Sequence, residues 1–208
     1  ADKVARGYLH QLLSEIEISN GKEKSPLEQE LLDVLQNPGT YGIKRQDIPR
    51  NPDLITIEFD KLTGKIIINR AYEAKTYTGL KMRDIRQLSS GGTTKGIKYL
   101  CELINRTSPN ELKRKGLSVV AEMKNGHIFE IASNFEIQVV VPFDQPDLSI
   151  SDNAVPTEPG DEEAIAEIKD KINNKIKARK VTHTNEKLDQ LSKELTADYN
   201  SPTPVRRR

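Results

Sequence analysis

Tryptophan is absent from this chain of 208 residues, and aromatic side chains make up only 5% of it. A broad stacking platform for single-stranded nucleic acid is therefore not expected, since such surfaces are built from aromatic rings. The one cysteine, Cys101, has no partner for an intramolecular disulfide and excludes a zinc–thiolate site, so a cytoplasmic protein is the simple expectation. His10, His127 and His183 are scattered without ligand spacing, which removes a zinc hydrolase or HNH-type centre and leaves them structural or exposed. No apolar run is long enough to span a bilayer, and Ala1-Asp2-Lys3 does not begin a secretory signal. A start without methionine leads us to expect an excised domain or a processed product. Charge of one sign does not predominate either: 32 Lys and Arg stand against 31 Asp and Glu. Bulk charge thus gives no indication of a nucleic-acid partner.

What the chain does have is charge in quantity, 30% of residues, and short apolar stripes within a hydrophobic content of 35%. The length fits one medium domain with solvated or partner-dependent additions. Val4, Tyr8, Leu9, Leu12, Leu13 and Ile16 recur at helical spacing and predict an amphipathic helix over 3–18. Ser25-Pro26-Leu27-Glu28 is a helix start, with Ser25 as N-cap, Pro26 in the first turn and Glu28 completing a capping box. Leu27, Leu31, Leu32 and Leu35 form that helix's inner stripe, and Asn37-Pro38-Gly39 ends it.

Leu54 to Phe59 is a strand rich in β-branched residues, the turn 60–64 reverses the chain, and Lys65 to Thr76 returns as a second strand. Helices are expected around Met82, Ile85 and Leu88 and over Thr94 to Asn105. Gly91-Gly92-Thr93-Thr94-Lys95 between them is too degenerate for a Walker loop and is expected as a mobile loop near the substrate. Asn125-Gly126 is a strong turn signal, which predicts a hairpin joining 117–122 to 127–131. Ile137 to Val141 reads as a short strand buried on both faces. Beyond Pro142 the composition turns polar and proline-containing. A highly charged helix is then expected over 161–180, with Ile165, Ile168, Ile172 and Ile176 on one stripe, followed by a shorter pattern of Leu188, Leu191 and Leu195 and a tail ending Arg206-Arg207-Arg208. The expected division is an N-terminal helix (1–21), a core (22–143), a linker (144–160) and a charged helical extension (161–208).

The order helix, strand, hairpin, strand, helix brings three groups into relation. Asp53 opens the first strand, while Glu73 and Lys75, two apart on the second, share a face. Neighbouring strands lie about 4.8 Å apart, so Asp53 can meet them. Two converging carboxylates repel unless a cation sits between them, and hard oxygen ligands suit Mg²⁺ or Mn²⁺. Such a metal acidifies water and steadies charge on a phosphoryl oxygen, with a lysine beside it to orient or deprotonate that water. Basic residues gather around the same place, namely Lys44, Arg45, Arg50, Arg70, Lys81, Arg83 and Arg86, as phosphate contact requires.

Pro52-Asp53, a hairpin, then Glu73-Ala74-Lys75 resembles the signature of the PD-(D/E)xK (restriction-endonuclease-like) nuclease superfamily over roughly residues 25–142. That resemblance implies an α/β core with a central mixed sheet flanked by helices. Asp53, Glu73 and the backbone carbonyl of Ala74 would be metal ligands, and Lys75 the catalytic lysine. Glu28, with Glu30 second, would be the helix glutamate that assists the metal. Gln87, with Arg83 or Arg86 as alternatives, would be the polar residue on the following helix. Arg45, Arg50, Lys81, Arg83 and Arg86 would contact nucleic acid, DNA by preference. Two other readings stand beside it: an RNase toxin domain of the same fold, and a non-catalytic binding or assembly module forming homodimers or binding a partner protein through its charged helices. In the last, Glu73 and Lys75 are the solvent face of a strand whose inner residues are Tyr72 and Ala74.

Overall fold

The computed structural model describes residues 3–174 and 178–199. Two helices come first, α1 (Lys3–Ile18) and α2 (Pro26–Gln36). The cap that starts α2 forms as its residues dictate: Glu28 N donates to Ser25 Oγ at 3.2 Å. A 3₁₀ turn (Pro38–Tyr41) leads to a hairpin of β1 (Leu54–Asp60) and β2 (Lys65–Ala74), closed by Gly64 at φ +70°, a conformation that favours glycine. Then follow β3 (Gly79–Leu80), α3 (Met82–Leu88), α4 (Thr93–Arg106), α5 (Pro109–Arg114) and α6 (Ser118–Lys124). The chain continues through β4 (Ile128–Val141), β5 (Ser149–Ile150), α7 (Asp161–Asn174), β6 (Arg179–Lys180) and α8 (Asn185–Tyr199).

The result is an α/β protein with a mixed four-stranded sheet, ordered β1-β2-β4-β6 and flanked by helices. β1 and β2 run antiparallel, while β2, β4 and β6 run parallel, so the four helices α3 to α6 form the crossover between β2 and β4. One face of the sheet carries Ile55, Ile66, Ile68, Ala71, Val139 and Val141 against Leu31, Leu35, Ile85, Ile97, Leu100 and Ile104. Each fully buried Leu or Ile there contributes about 1.5–3 kcal/mol relative to exposure. The opposite face is smaller: Leu54, Tyr72, Val140 and Val181 close on Ile18 of α1. Gly96 lets α4 approach the loop that leads into β1, since a Cβ there would stand 3.1 Å from Ile48 Cγ2. Among the described residues no helix is long and apolar enough to cross a membrane.

Several local expectations give way to the fold. The hairpin expected around Asn125-Gly126 is instead a helix, α6, followed by one strand. Gly126, at φ +82°, ends the helix, a task that uses the same left-handed conformation as a hairpin turn. The two strands expected over 127–131 and 137–141 are one 14-residue strand, β4, whose pairing with β2 slips between Ile131 and Glu136. The helix expected over 161–180 stops at Asn174, and Arg179–Lys180 joins the sheet edge beside Val140 and Val141. Ile176 and the arginine tail lie outside the described residues. Within 144–160, Leu148 is buried and β5 pairs with β3. Helix α5, not expected, starts with Ser108-Pro109-Asn110-Glu111, the same cap pattern that announces α2.

Candidate active site

The hairpin register sets Asp53 across from Glu73. Leu54 pairs with Tyr72 in the β1–β2 ladder, and one residue further out Asp53 N donates to Tyr72 O at 3.0 Å. Asp53 Oδ2 accepts from Ala74 N at 2.8 Å, which holds the carboxylate over the end of β2. Lys75 N donates to Val140 O at 2.9 Å, so the lysine is anchored to β4 immediately beyond the last paired residue of β2. Its Nζ lies 3.0 Å from Asp84 Oδ1 and donates to Gln87 Oε1 at 3.3 Å, both on α3. Gln87 Nε2 in turn donates to Asn51 O at 2.9 Å. Gln87 thus ties the lysine to the loop that presents Asp53.

Burial governs the electrostatics. Glu73 is only 1% exposed, and its Oε1 has no hydrogen-bond partner. Loss of solvation, then the Asp53 carboxylate beside it, push the Glu73 carboxyl well above the usual carboxylate range. Burial also raises Asp53, although the Ala74 amide and the Lys75 ammonium oppose the rise. For Lys75 burial works against the charge, but the carboxylates of Asp84 and Glu73 outweigh it and hold the ammonium above its ordinary value. Three acidic side chains therefore surround one cation, with Glu73 and Asp84 buried and Asp53 and Lys75 partly so.

The residues named from sequence divide cleanly. Asp53, Glu73, Lys75, the Ala74 backbone and Gln87 are brought together. With Glu73 buried, the reading of it as a solvent-face residue is excluded. Glu28 stays with its cap, receiving Ser25 Oγ at 3.3 Å, and no hydrogen bond or ion pair joins it to Asp53, Glu73 or Lys75. It lines a neighbouring cleft of about 830 Å³ with Glu15, Gln29 and Leu54. That cleft touches neither Glu73 nor Lys75 and is separate from the buried cluster. Glu30 caps α6, accepting from Val119 N at 3.3 Å and Val120 N at 2.7 Å. Lys81 is exposed with its Nζ 5.2 Å from the centre of the Tyr77 ring, and Arg83 donates to Tyr77 Oη at 3.4 Å. Arg45 is exposed and Arg50 half-buried on the loop before Asp53. Arg86 clamps Asp161 at 2.8 and 2.9 Å and bonds Thr157 at 2.9 Å.

Asp84 is the residue that sequence reasoning missed. It is fully buried, accepts from Lys81 N at 2.8 Å and Tyr77 Oη at 3.0 Å, and binds Lys75. The signal was present: Asp84 stands three residues before Gln87, on the same helix face.

Behind the sheet lies a second polar cluster. His10 of α1 is 1% exposed; its Nε2 donates to Val140 O at 2.8 Å, and its Nδ1 faces His183 Nε2 at 2.7 Å. A carbonyl only accepts, so His10 is protonated at Nε2 and His183 Nε2–H donates to it. Burial pushes His10 from its ordinary 6.5 down to about 4, with the Val140 carbonyl opposing the fall. His10 and His183, far apart in the chain, thus meet behind the sheet instead of lying scattered.

Among the described residues, no three His, Cys, Asp or Glu side chains form a preformed metal cage. Comparison of the chain with protein-family models, curated proteins and solved structures finds no match in any of the three.

Proposed function

We propose that this protein is a divalent-cation-dependent endonuclease of the PD-(D/E)xK, restriction-endonuclease-like type, hydrolysing phosphodiester bonds with DNA as the favoured substrate. The observation that carries the reading is the convergence of Asp53, Glu73 and Lys75 at one end of the hairpin, with Glu73 Oε1 buried and unpartnered. The order of α2, the β1–β2 hairpin, α4 and parallel β4 supports it, because that is the arrangement the sequence resemblance implies. DNA is favoured because it is the commonest substrate of the family that the motif resembles.

The donors fit a Mg²⁺ or Mn²⁺ ion. Asp53 and Glu73 offer hard oxygens, the orphaned Oε1 wants a positive partner, and their mutual repulsion is what a cation would relieve. The two carboxylates would hold it, with the Ala74 carbonyl as third ligand. When bound, such an ion supplies an acidified water and a positive charge for the phosphoryl oxygen. Lys75 is kept protonated by Asp84 and Glu73, so in this arrangement it donates a hydrogen bond to water or phosphate rather than withdrawing a proton. Gln87 positions Lys75 against the Asn51 loop. Lys81 and Arg83 on the Tyr77 side, with Arg45 and Arg50 before Asp53, are the chain's phosphate contacts. Arg86, already clamped to Asp161, is a weaker candidate than sequence alone suggests.

Cleavage of plasmid, linear duplex, single-stranded DNA and bulk tRNA, with Mg²⁺ or Mn²⁺ and with EDTA, tests the reading. Metal-dependent cutting is expected, falling roughly 100- to 1,000-fold in Glu73→Ala and Lys75→Ala. Cutting confined to tRNA would replace DNA with RNA, as in a toxin domain of this fold. No cutting, or variants as active as wild type, would sink the nuclease reading in favour of a binding module.

A further inference from the structure

Helix α1 lies outside the stretch that resembles the nuclease, yet it backs the candidate site directly. Its buried residues, His10 and Ser14, are polar. A surface helix ordinarily turns apolar side chains inward, as α4 does with Ile97, Leu100 and Ile104. Gln11, Ser14 and Glu15 of α1 line a small hollow with Asp53, Ala74 and Val140. One atom joins this helix to the lysine of the site. Val140 O accepts from Lys75 N at 2.9 Å and from His10 Nε2 at 2.8 Å. Behind His10, His183 Nε2 donates to His10 Nδ1 at 2.7 Å, and His183 O accepts from Phe143 N at 2.9 Å. The line of bonds therefore starts and finishes on the backbone at the end of β4.

We propose that His10, with His183 behind it, is a positioning residue for Lys75 and acts through the Val140 carbonyl; the chemistry of Lys75 itself rests on the nuclease reading. The Lys75 amide makes the last rung between β2 and β4, since β2 ends at Ala74. End rungs open most easily, so this one gains most from a second support. The Val140 carbonyl is already satisfied by Lys75, and burial alone does not call for another donor. What His10 adds is direction: with both lone pairs of the oxygen engaged, the peptide plane that receives Lys75 is fixed. Donation from His183 onto Nδ1 sets the His10 tautomer, leaving the proton on Nε2 where Val140 needs it. A leucine at position 10 would fill the space without donating. Lys75 is thus held twice, at its backbone from the α1 side and at its ammonium by Asp84 and Gln87 of α3.

Native-state amide exchange in the full chain without metal, followed by NMR at one pH, reads this support directly. His10→Ala should speed exchange at the Lys75 amide roughly fivefold more than at the Asp53 amide, the end rung on the other side of β2. A histidine that only stabilises the fold would move both amides alike. His10→Gln, whose side chain can donate to Val140 and accept from His183, should return Lys75 toward wild type. His183→Ala, which frees the His10 tautomer, should shift Lys75 in the same sense and serves where His10→Ala does not fold. With Mg²⁺ and duplex DNA, kcat should fall roughly fivefold in His10→Ala at unchanged KM and recover in His10→Gln. Equal acceleration at the two amides, or no recovery in His10→Gln, overturns the positioning role while wild-type cutting stands. A wild type that cuts nothing, with exchange changed at Lys75 alone, instead overturns the nuclease reading and leaves the anchor of Lys75 in place.

Discussion

The two faces of β2 at its last residues treat buried polarity in opposite ways. On the face toward α3, Asp53, Glu73 and Asp84 crowd around Lys75, and Glu73 Oε1 is left without a partner. On the face toward α1, Tyr72 and Val140 pack with Leu54, and the polar groups above them, His10 and His183, share a hydrogen bond while burial disfavours their charged forms. A satisfied pair fastens elements together. A cluster with an unsatisfied carboxylate oxygen costs stability, and under the proposed function a cation would complete it. The contrast is one of hydrogen-bond satisfaction, which residue type alone does not reveal.

The two faces also carry opposite pH dependence. Asp53 and Glu73 are raised in the folded protein, so the metal-free fold is favoured with them protonated. Their contribution is complete below the ordinary carboxylate range and is lost as pH climbs through their raised values. His10 is lowered to about 4 and His183 is lowered too, each first by burial. Their contribution is present above the ordinary 6.5 and is lost as pH falls toward about 4.

The largest effect is expected from Asp84, whose removal leaves Lys75 buried without its closest partner. Asp84→Asn should cost about 3–5 kcal/mol, read as a fall in denaturation midpoint. A midpoint within error of wild type would mean that the lysine does not depend on Asp84. Glu73→Gln should act in the other direction on stability. In EDTA at neutral pH it should raise the unfolding temperature, because burial and the Asp53 carboxylate disfavour the charged form of Glu73, while abolishing any stabilisation by Mg²⁺. Calorimetric scans with and without the ion decide this, and a destabilised variant would argue that Glu73 is ionised and satisfied without metal. The smallest effect belongs to the back face. His10→Asn should lower stability by about 1 kcal/mol at pH 7 and flatten the loss between pH 6.5 and about 4, as urea titrations would register. An unchanged acid limb would move that dependence elsewhere in the chain.

Much of the local architecture was legible. The N-cap Ser25 fixed where α2 begins, and the β-branched run of 54–59 with the turn after it fixed the hairpin and hence the meeting of Asp53 with Glu73. Those signals are short-range, set by caps, turns and periodicity. The sequence of α1 declared a helix with an apolar stripe but could not say which side faces the core. That was decided when Arg6, His10 and Glu17 found partners more than 160 residues away in α8 and in the segment that joins β6 to it. Asn125-Gly126 announced a left-handed residue without revealing whether a helix or a strand precedes it. Asp84 was missed in the sequence because only folding sets Lys75 against it. By itself the sequence determined the residue types, the hairpin and the spacing of the site. Tertiary structure alone decided which carboxylate is dehydrated, which oxygen is orphaned and which polar pair is satisfied, because burial and charge proximity depend on contacts between residues far apart in the chain.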